Sequence, residues 1–458
     1  MNIIQLWHNV GVPTIGGPTH RNRQMTQPPS VCTRDFATAS PLPSTVSPPP
    51  SAAPSGVGLS RQMTLFFAAA VGIIILNLSA AQPLTGPVSH ALNLPAGLSG
   101  LIAMLPQLGY AAGLLLLVPL CDLLENRRLI VVTLTCCAAF LALSALAHSG
   151  WVFLASVFLA GATSSVIQML VPMAASMAPE QRRGQAIGNV MSGLMLGILL
   201  SRPLASLITG TFGWRVFFGI EAAADALLAV VLYLRLPNHA PHTGASYPAL
   251  LRSLWTLLRT EPVLQRRSLQ AALALGAFSA FWTAIALRLA QPPFSLGMQG
   301  IAVFALAGAS GAIVTPLAGY LGDRGAGHAT QIVSHIVMIA AVLMLGAAGA
   351  GWGGFSPVAH PVLALAMLVA GAAALDAGVI TDQTLGRRAV NLLNPAARGR
   401  LNALFVGIFF VGGAIGAALS GAAWAWAGWS GVCIVALVFA VALLLVGWLD
   451  RASQGRRA

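Results

Sequence analysis

The sequence contains no lysine: all 24 basic residues among its 458 are arginine. A Lys-dependent phosphate loop, a pyridoxal-phosphate Schiff base and a retinal Schiff base are therefore excluded, since each needs an amine. Charge of either sign is scarce, at 8% of residues, against about 25% in soluble globular domains. A water-soluble enzyme does not fit that composition. Cysteine is limited to Cys32, Cys121, Cys136, Cys137 and Cys433. No two of these form a CxxC pair, so neither a disulfide nor a zinc framework follows. HExxH, EF-hand and GxSxG patterns are missing too. A GxGxxG does occur at Gly349, Gly351 and Gly354. It follows a predicted helix and has no strand before it, so the dinucleotide reading fails its context test. No cofactor, metal or ATP site is expected. Energy for any work must come from an ion gradient or from a solute's own gradient.

What is abundant is apolar sequence, at 57%. From residue 64 onward, runs of about 20 apolar residues recur, the length that crosses a bilayer. They fall at 64–84, 98–120, 129–147, 151–173, 188–210, 217–234, 269–289, 300–321, 331–349, 360–380, 401–422 and 430–449. Only helices satisfy backbone hydrogen bonds over such lengths without water or strand partners. The expectation is an all-α membrane protein with twelve transmembrane helices. Residues 1–61 differ: they are rich in Pro, Ser and Thr and read as a disordered tail without the apolar middle of a signal peptide. A misassigned start, with Met25 or Met63 as the true first residue, is the alternative.

The net charge of +13 would suit nucleic acid in a polar protein. Here the arginines lie between apolar runs, and topology explains them better. With the N-terminus inside, all arginines except Arg202, Arg215 and Arg288 fall on the inner side. Both ends are thus expected in the cytoplasm and the spans in the plasma (inner) membrane, with no nucleic-acid partner. Residues 235–268 form the longest loop, where apolar residues at helical spacing alternate with Arg. They suit an amphipathic helix on the inner face between bundles at 62–234 and 269–449, with 450–458 as a cytoplasmic tail.

The two halves carry matching features. VPLCDLLENRRL (118–129) follows span 2 and GYLGDRGAGH (319–328) follows span 8. PEQRRG (179–184) precedes span 5 and PAARGR (395–400) precedes span 11. Gly213-Trp214 and Gly428-Trp429 come at equivalent distances. Three matches in the same order argue for duplication and two pseudo-symmetric six-helix bundles. Over about residues 62–450 the chain resembles the major facilitator superfamily, in particular its twelve-helix drug:proton antiporter branch. GYLGDR matches that family's inner-loop signature G-x-L-A-D-R-x-G-R-R. The first copy keeps Asp122, Arg127 and Arg128, with Val118, Leu123 and Asn126 replacing other positions. Of the helix-5 antiporter signature, Gly193 and Gly197 match, whereas Ser201 and Arg202 stand at its Gly-Pro. The resemblance implies a monomer and alternating access by rocking of the halves. It also implies a latch on the inner side built from Asp122 with Arg127/Arg128 and Asp323 with Arg324. The alternative is that these residues only anchor and solvate the loops.

Arg202, Glu221, Asp225 and Asp376 lie within apolar spans, where a charge costs about 2.5 to 3.5 kcal/mol on insertion scales and usually marks function. Arg202 and Asp225 read to similar depths, both about 12 Å below the outer edge, and Glu221 is one turn from Asp225 on the same helix face. A cluster of Arg202 with Glu221/Asp225, coupling protonation to conformation, is one reading. A static pair, or an Arg202 that meets an anionic or polar substrate, are others. Asp376 is read near the inner end of span 10, either carrying a proton or solvating the helix end, and His335 as a hydrogen-bonded packing residue in preference to a proton relay. The resemblance makes Asn77, Gln82, Gln107, Tyr110, Gln168, Phe281 and Trp282 cavity-lining candidates. Gly193 and Gly197, with Gly412 and Gly416 in GGAIGAALSG, suit close helix packing.

The expected function is secondary transport of a small organic solute through the lipid bilayer, by export in exchange for protons. Uptake by symport or uniport is the runner-up, and a non-transporting receptor or scaffold belongs to another class. No nucleophile–base pair supports an enzyme. A reporter fused after residue 258 should lie on the same side as reporters at both termini. Alkaline phosphatase fused there should be inactive in cells, and an active fusion contradicts the topology.

Overall fold

The structure is a computed structural model that describes residues 61–179, 182–237, 246–324, 326–394 and 397–455. The expected tail thus lies almost wholly outside the described residues. Among these, every regular element is helical.

The first apolar run forms α1 (Arg61–Ile74), α2 (Leu76–Ser79) and α3 (Thr85–Ala91). One run thus becomes three pieces, with Pro83, which lacks an N–H, in the gap between the last two. α4 (Leu101–Leu116) leads through a tight turn at Val118–Asp122 to α5 (Asn126–Leu146). α6 (Gly150–Thr163) and α7 (Ile167–Met177) are one rod tightened at Ser164–Val166. α8 (Arg183–Phe212) and α9 (Trp214–Arg235) meet at Gly213. Its φ of 88° is open to glycine and strained for other residues.

The amphipathic stretch forms α10 (Tyr247–Thr260), which buries Leu254 and leaves Trp255 exposed with the Arg259 guanidinium 4.5 Å over its ring. α11 (Pro262–Leu289) begins inside the expected loop, so the connection is shorter than 235–268. α12 (Met298–Ala305) and α13 (Ser310–Asp323) are separated by a 3-10 turn at Leu306–Ala309. α14 (Gly327–Ala350) ends where Gly351 takes a left-handed φ of 78°.

α15 (Pro361–Asn391) runs well beyond the expected end at 380. Its polar segment TDQTLGRR looks like a loop by composition but continues the helix. Asp376 therefore sits mid-helix and not near an end, which corrects its expected role as a helix-end solvator. α16 (Arg398–Gly455) contains both of the last expected spans, with non-helical dihedrals at Ala427 and Gly428.

Among the described residues, ten helical stretches are long and apolar enough to cross a membrane, and Met298–Gly308 is a shorter apolar helix. Many large apolar side chains point outward, among them Leu234, Val362 and Trp426. In water such a belt would drive association, whereas lipid solvates it.

Glycine seams hold the helices close. A Cβ on Gly193 or Gly197 of α8 would overlap the carbonyl oxygens of Ala68 and Gly72 on α1. A Cβ on Gly412 or Gly416 of α16 would overlap those of Ala272 and Gly276 on α11. Backbone contact of this kind brings dispersion and Cα–H···O contacts where lipid offers no hydrophobic drive. Gly193→Leu should destabilise the protein by about 1–3 kcal/mol, read as a lowered melting temperature in detergent. Gly219→Ala, with open space around it, should leave that temperature unchanged or slightly raised.

Candidate functional site

Four residues of α8, Leu194, Met195, Ile198 and Arg202, share one helix face at 3.6-residue spacing and border a cavity of about 100 Å³. The opposite wall comes from the second half of the chain, with Phe278 and Ser279 of α11, Gln383 and Arg387 of α15, and Phe409 and Phe410 of α16. Gln82, Gln107, Tyr110 and Gln168 complete it.

Arg202 is 4% exposed. Its Nε donates to Gln82 Oε1 at 2.8 Å, and its guanidinium stacks 4.4 Å from the Trp282 ring centre and 5.1 Å from that of Phe278. Trp282 Nε1 in turn donates to Asp376 Oδ1 at 2.9 Å. The other Asp376 oxygen faces Gly308, in the 3-10 turn between α12 and α13. A Cβ on Gly308 would lie 2.9 Å from Asp376 Oδ2 and 3.9 Å from Arg202 Nη1. The helix break at this point lets two buried charges converge on bare backbone. The chain Gln82–Arg202–Trp282–Asp376 thus crosses from the first half of the protein to the second.

Asp225 is elsewhere. Asn77 Nδ2 donates to Asp225 Oδ2 at 2.9 Å and also lies 3.2 Å from Ser164 Oγ and 3.4 Å from Cys137 Sγ. Glu221, on the same face of α9, is buried with neither oxygen hydrogen-bonded. The expected cluster of Arg202 with Glu221/Asp225 is therefore two centres. Residue counting gave the two one depth, but Arg202 meets Gln82 and turns toward α11, whereas Asp225 meets Asn77 of α2. Asn77 belongs to the acidic centre and does not border the cavity. Trp282 lies beneath Arg202 and outside the lining, and Phe281 packs edge-on to Trp429 at 5.9 Å.

One end of the cavity is sealed. Thr85 Oγ1 donates to Thr283 O at 3.1 Å. A Cβ on Gly100 would overlap the Ala417 carbonyl, and one on Gly421 would overlap the Gly100 backbone. Ser279 Oγ donates to Gln107 Oε1 at 3.2 Å across the same seam. Toward the Arg-rich end, Gln168 borders both this cavity and a second of about 710 Å³. Gln168 Nε2 donates to the Tyr110 hydroxyl at 3.2 Å, and Asn402 Nδ2 donates to Gln168 Oε1 at 3.4 Å.

Among the expected latch residues, Asp122 is exposed and borders the larger cavity. Arg127 stacks 4.6 Å over Tyr233, Arg128 is exposed, and Arg324 stacks 4.3 Å over Tyr320. The Asp323 backbone closes α13, and its side chain lies outside what is described. At this end the connecting helix α10 touches both halves, Tyr247 donating to Leu116 O at 2.9 Å and Ser253 Oγ accepting from Arg400 at 3.0 Å.

Three functional-site residues escape the sequence reading: Asp382, Gln383 and Arg387, all beyond the expected end of span 10. Asp382 is buried and accepts from Gln331 Nε2 at 2.7 Å, with its Oδ1 2.8 Å from His335 Nε2. His335 is thus a buried, hydrogen-bonded residue. The signal was present, since Asp376, Val379, Ile380, Gln383 and Arg387 continue one helical stripe.

A family profile described as Major Facilitator Superfamily matches residues 64–390. The chain belongs to the major facilitator superfamily. It is 36% identical over 394 residues to the putative uncharacterized transporter YgaY of Escherichia coli, covering 85% of this chain and 96% of that one. It is 33% identical over 427 residues to a probable transporter of Streptomyces coelicolor, covering 91% and 95%. Among solved structures, nucleoside transporter NupG superposes with a TM-score of 0.65 at 16% identity, covering 85% of this chain and 98% of that one. A bacterial homologue of the human lysosomal transporter Spinster, in an inward-facing and occupied conformation, gives 0.62 at 16% identity over 85% and 96%. The protein is a multi-pass membrane protein of a transporter family and not an enzyme.

Trp282→Phe keeps a ring for Arg202 but removes the donor to Asp376. It should lower stability by about 1–3 kcal/mol. Trp282→Leu should lower it further, by about 0.5–2 kcal/mol for the lost stack. Thermal unfolding in detergent reads both, and equal effects of the two variants would argue against the stack.

Proposed function

We propose that the protein is a secondary active transporter that moves a small organic solute by alternating access, exporting it in exchange for protons as the drug:proton antiporter branch does. The observation that carries this reading is the polar chain Gln82–Arg202–Trp282–Asp376. It spans the two halves of the protein at a cavity sealed at one end. A buried network whose members come from both halves changes partners when the halves rock, which makes solute position and protonation sensitive to the same motion.

In this reading the chain crosses the membrane twelve times as two six-helix bundles. The Met298–Asp323 region counts as one interrupted crossing and α16 as two, divided at Ala427–Gly428. Residues 62–234 and 269–449 form the bundles and 235–268 the link. The protein works as a monomer with both ends in the cytoplasm, so the larger cavity opens inward. Asp122, Arg127, Arg128, Asp323 and Arg324 brace the inner loops. Glu221 and Asp225, buried without a cationic partner, are proton-carrying groups, as is Asp376. A carboxylate within the membrane exchanges protons only with the side it faces, so its protonation can follow the motion of the halves.

The experiment is solute flux in proteoliposomes with an imposed pH gradient. The wild-type protein should accumulate solute against its gradient in the more acidic compartment, as protons leave it. Asp225→Asn and Asp376→Asn should each lower gradient-driven accumulation by at least about tenfold, the equivalent of one lost charge-assisted interaction. Solute–solute exchange should persist in both. Full accumulation in both variants would remove proton coupling from these sites.

A further inference from the structure

The charge around the cavity is lopsided. Two guanidiniums border it, Arg202 from α8 and Arg387 from α15, and no carboxylate is among its lining residues. The acids nearby are turned to other partners. Asp376 accepts from Trp282, and Asp382 meets Gln331 and His335. Among the described residues, ion pairs join Arg266 and Arg267 to Asp450 and His335 to Asp382. Neither Arg202 nor Arg387 takes part in one. Arg387 Nε is buried with no hydrogen-bond partner. Counting Asp376 with Arg202 still leaves the pathway net positive.

A buried cation without a partner is costly. The desolvated guanidinium fork is also the side chain best matched to a planar oxyanion. The rest of the wall is apolar and aromatic, with Phe278, Phe409 and Phe410.

The spacing adds direction. Asp376, which meets Arg202 over Gly308, and Arg387 lie on the same helix with eleven residues from one to the other (376 to 387). That is about 16 Å of helical rise. The two guanidiniums therefore stand at two levels of the pathway.

From this we infer that the solute is an organic anion, with an oxyanion head and an apolar or aromatic body, handed between Arg387 and Arg202 as it crosses. The inference rests on the transport reading above and names its substrate class. A cationic drug would meet two like charges on this route. A neutral solute would leave the Arg387 guanidinium without a countercharge.

The test uses the purified full-length protein in detergent at constant ionic strength. Three probes of similar size are added: benzenesulfonate, benzyl alcohol and benzyltrimethylammonium. Benzenesulfonate should raise the melting temperature, and the other two should not. Arg202→Gln and Arg387→Gln should each weaken that binding by at least about tenfold, and Arg387→Lys should restore part of it. Should Arg202→Gln fail to fold, Arg387, at the edge of the cavity, carries the test alone. Stabilisation by the cation or the alcohol instead, or by none of the three, overturns the anion assignment. The same is true if benzenesulfonate stabilises the wild-type protein and both variants equally.

The transport reading has its own readout. Proteoliposomes that carry a cation or neutral solute but no sulfonate overturn only the substrate class. Proteoliposomes that carry none of the three classes overturn transport itself.

Discussion

A guanidinium cannot shed its charge to escape a low-dielectric interior, so everything around Arg202 is arranged to hold it there. Gln82 accepts one N–H, two aromatic faces stack against the cation, and Asp376 stands across a bare glycine backbone. Gln82 comes from the break between α2 and α3, Phe278 and Trp282 from α11, and Asp376 from α15. The arginine thereby couples α8 to α11, to α15 and to the turn between α12 and α13. The cation is solvated by fixed dipoles and rings in place of water. That environment is available only while the two halves of the protein stand as they do here.

The glycine seams make such an arrangement possible. In lipid the helices gain nothing from hiding apolar surface, so backbone approach is what holds them. α8 lies against α1 through Gly193 and Gly197, and α16 against α11 through Gly412 and Gly416. These are corresponding places in the two halves. A second set of glycines, Gly100 and Gly421, works between the halves at the sealed end. The first kind of seam packs helices of one half together, and the second is formed largely by backbone and small side chains.

Run length made the helices legible in the sequence, and the cost of charge in lipid singled out Arg202, Glu221, Asp225 and Asp376. Their partners were not legible. Counting residues from a helix end gives depth, but not the direction in which a side chain leaves the axis. Arg202 and Asp225 count to the same depth and yet belong to separate centres. Asp382, Gln383 and Arg387 were lost for another reason: a polar segment at the end of a span has the composition of a loop. Only its register with Asp376 marks it as helix. The breaks at Gly308 and at Ala427–Gly428 are invisible in hydropathy, because small apolar residues look the same in a helix and in a kink.

The central claim is that the polar chain through Arg202 lies behind a seal that must open for transport. Thr85 and Thr283 meet in that seal at 3.1 Å. In a protein whose native cysteines are replaced by serine, Thr85→Cys with Thr283→Cys allows the seal to be cross-linked by oxidation. Cross-linked protein in proteoliposomes should carry no solute, and a reductant should restore flux. Undiminished flux through the fully cross-linked protein would show that this end never opens and would contradict the account.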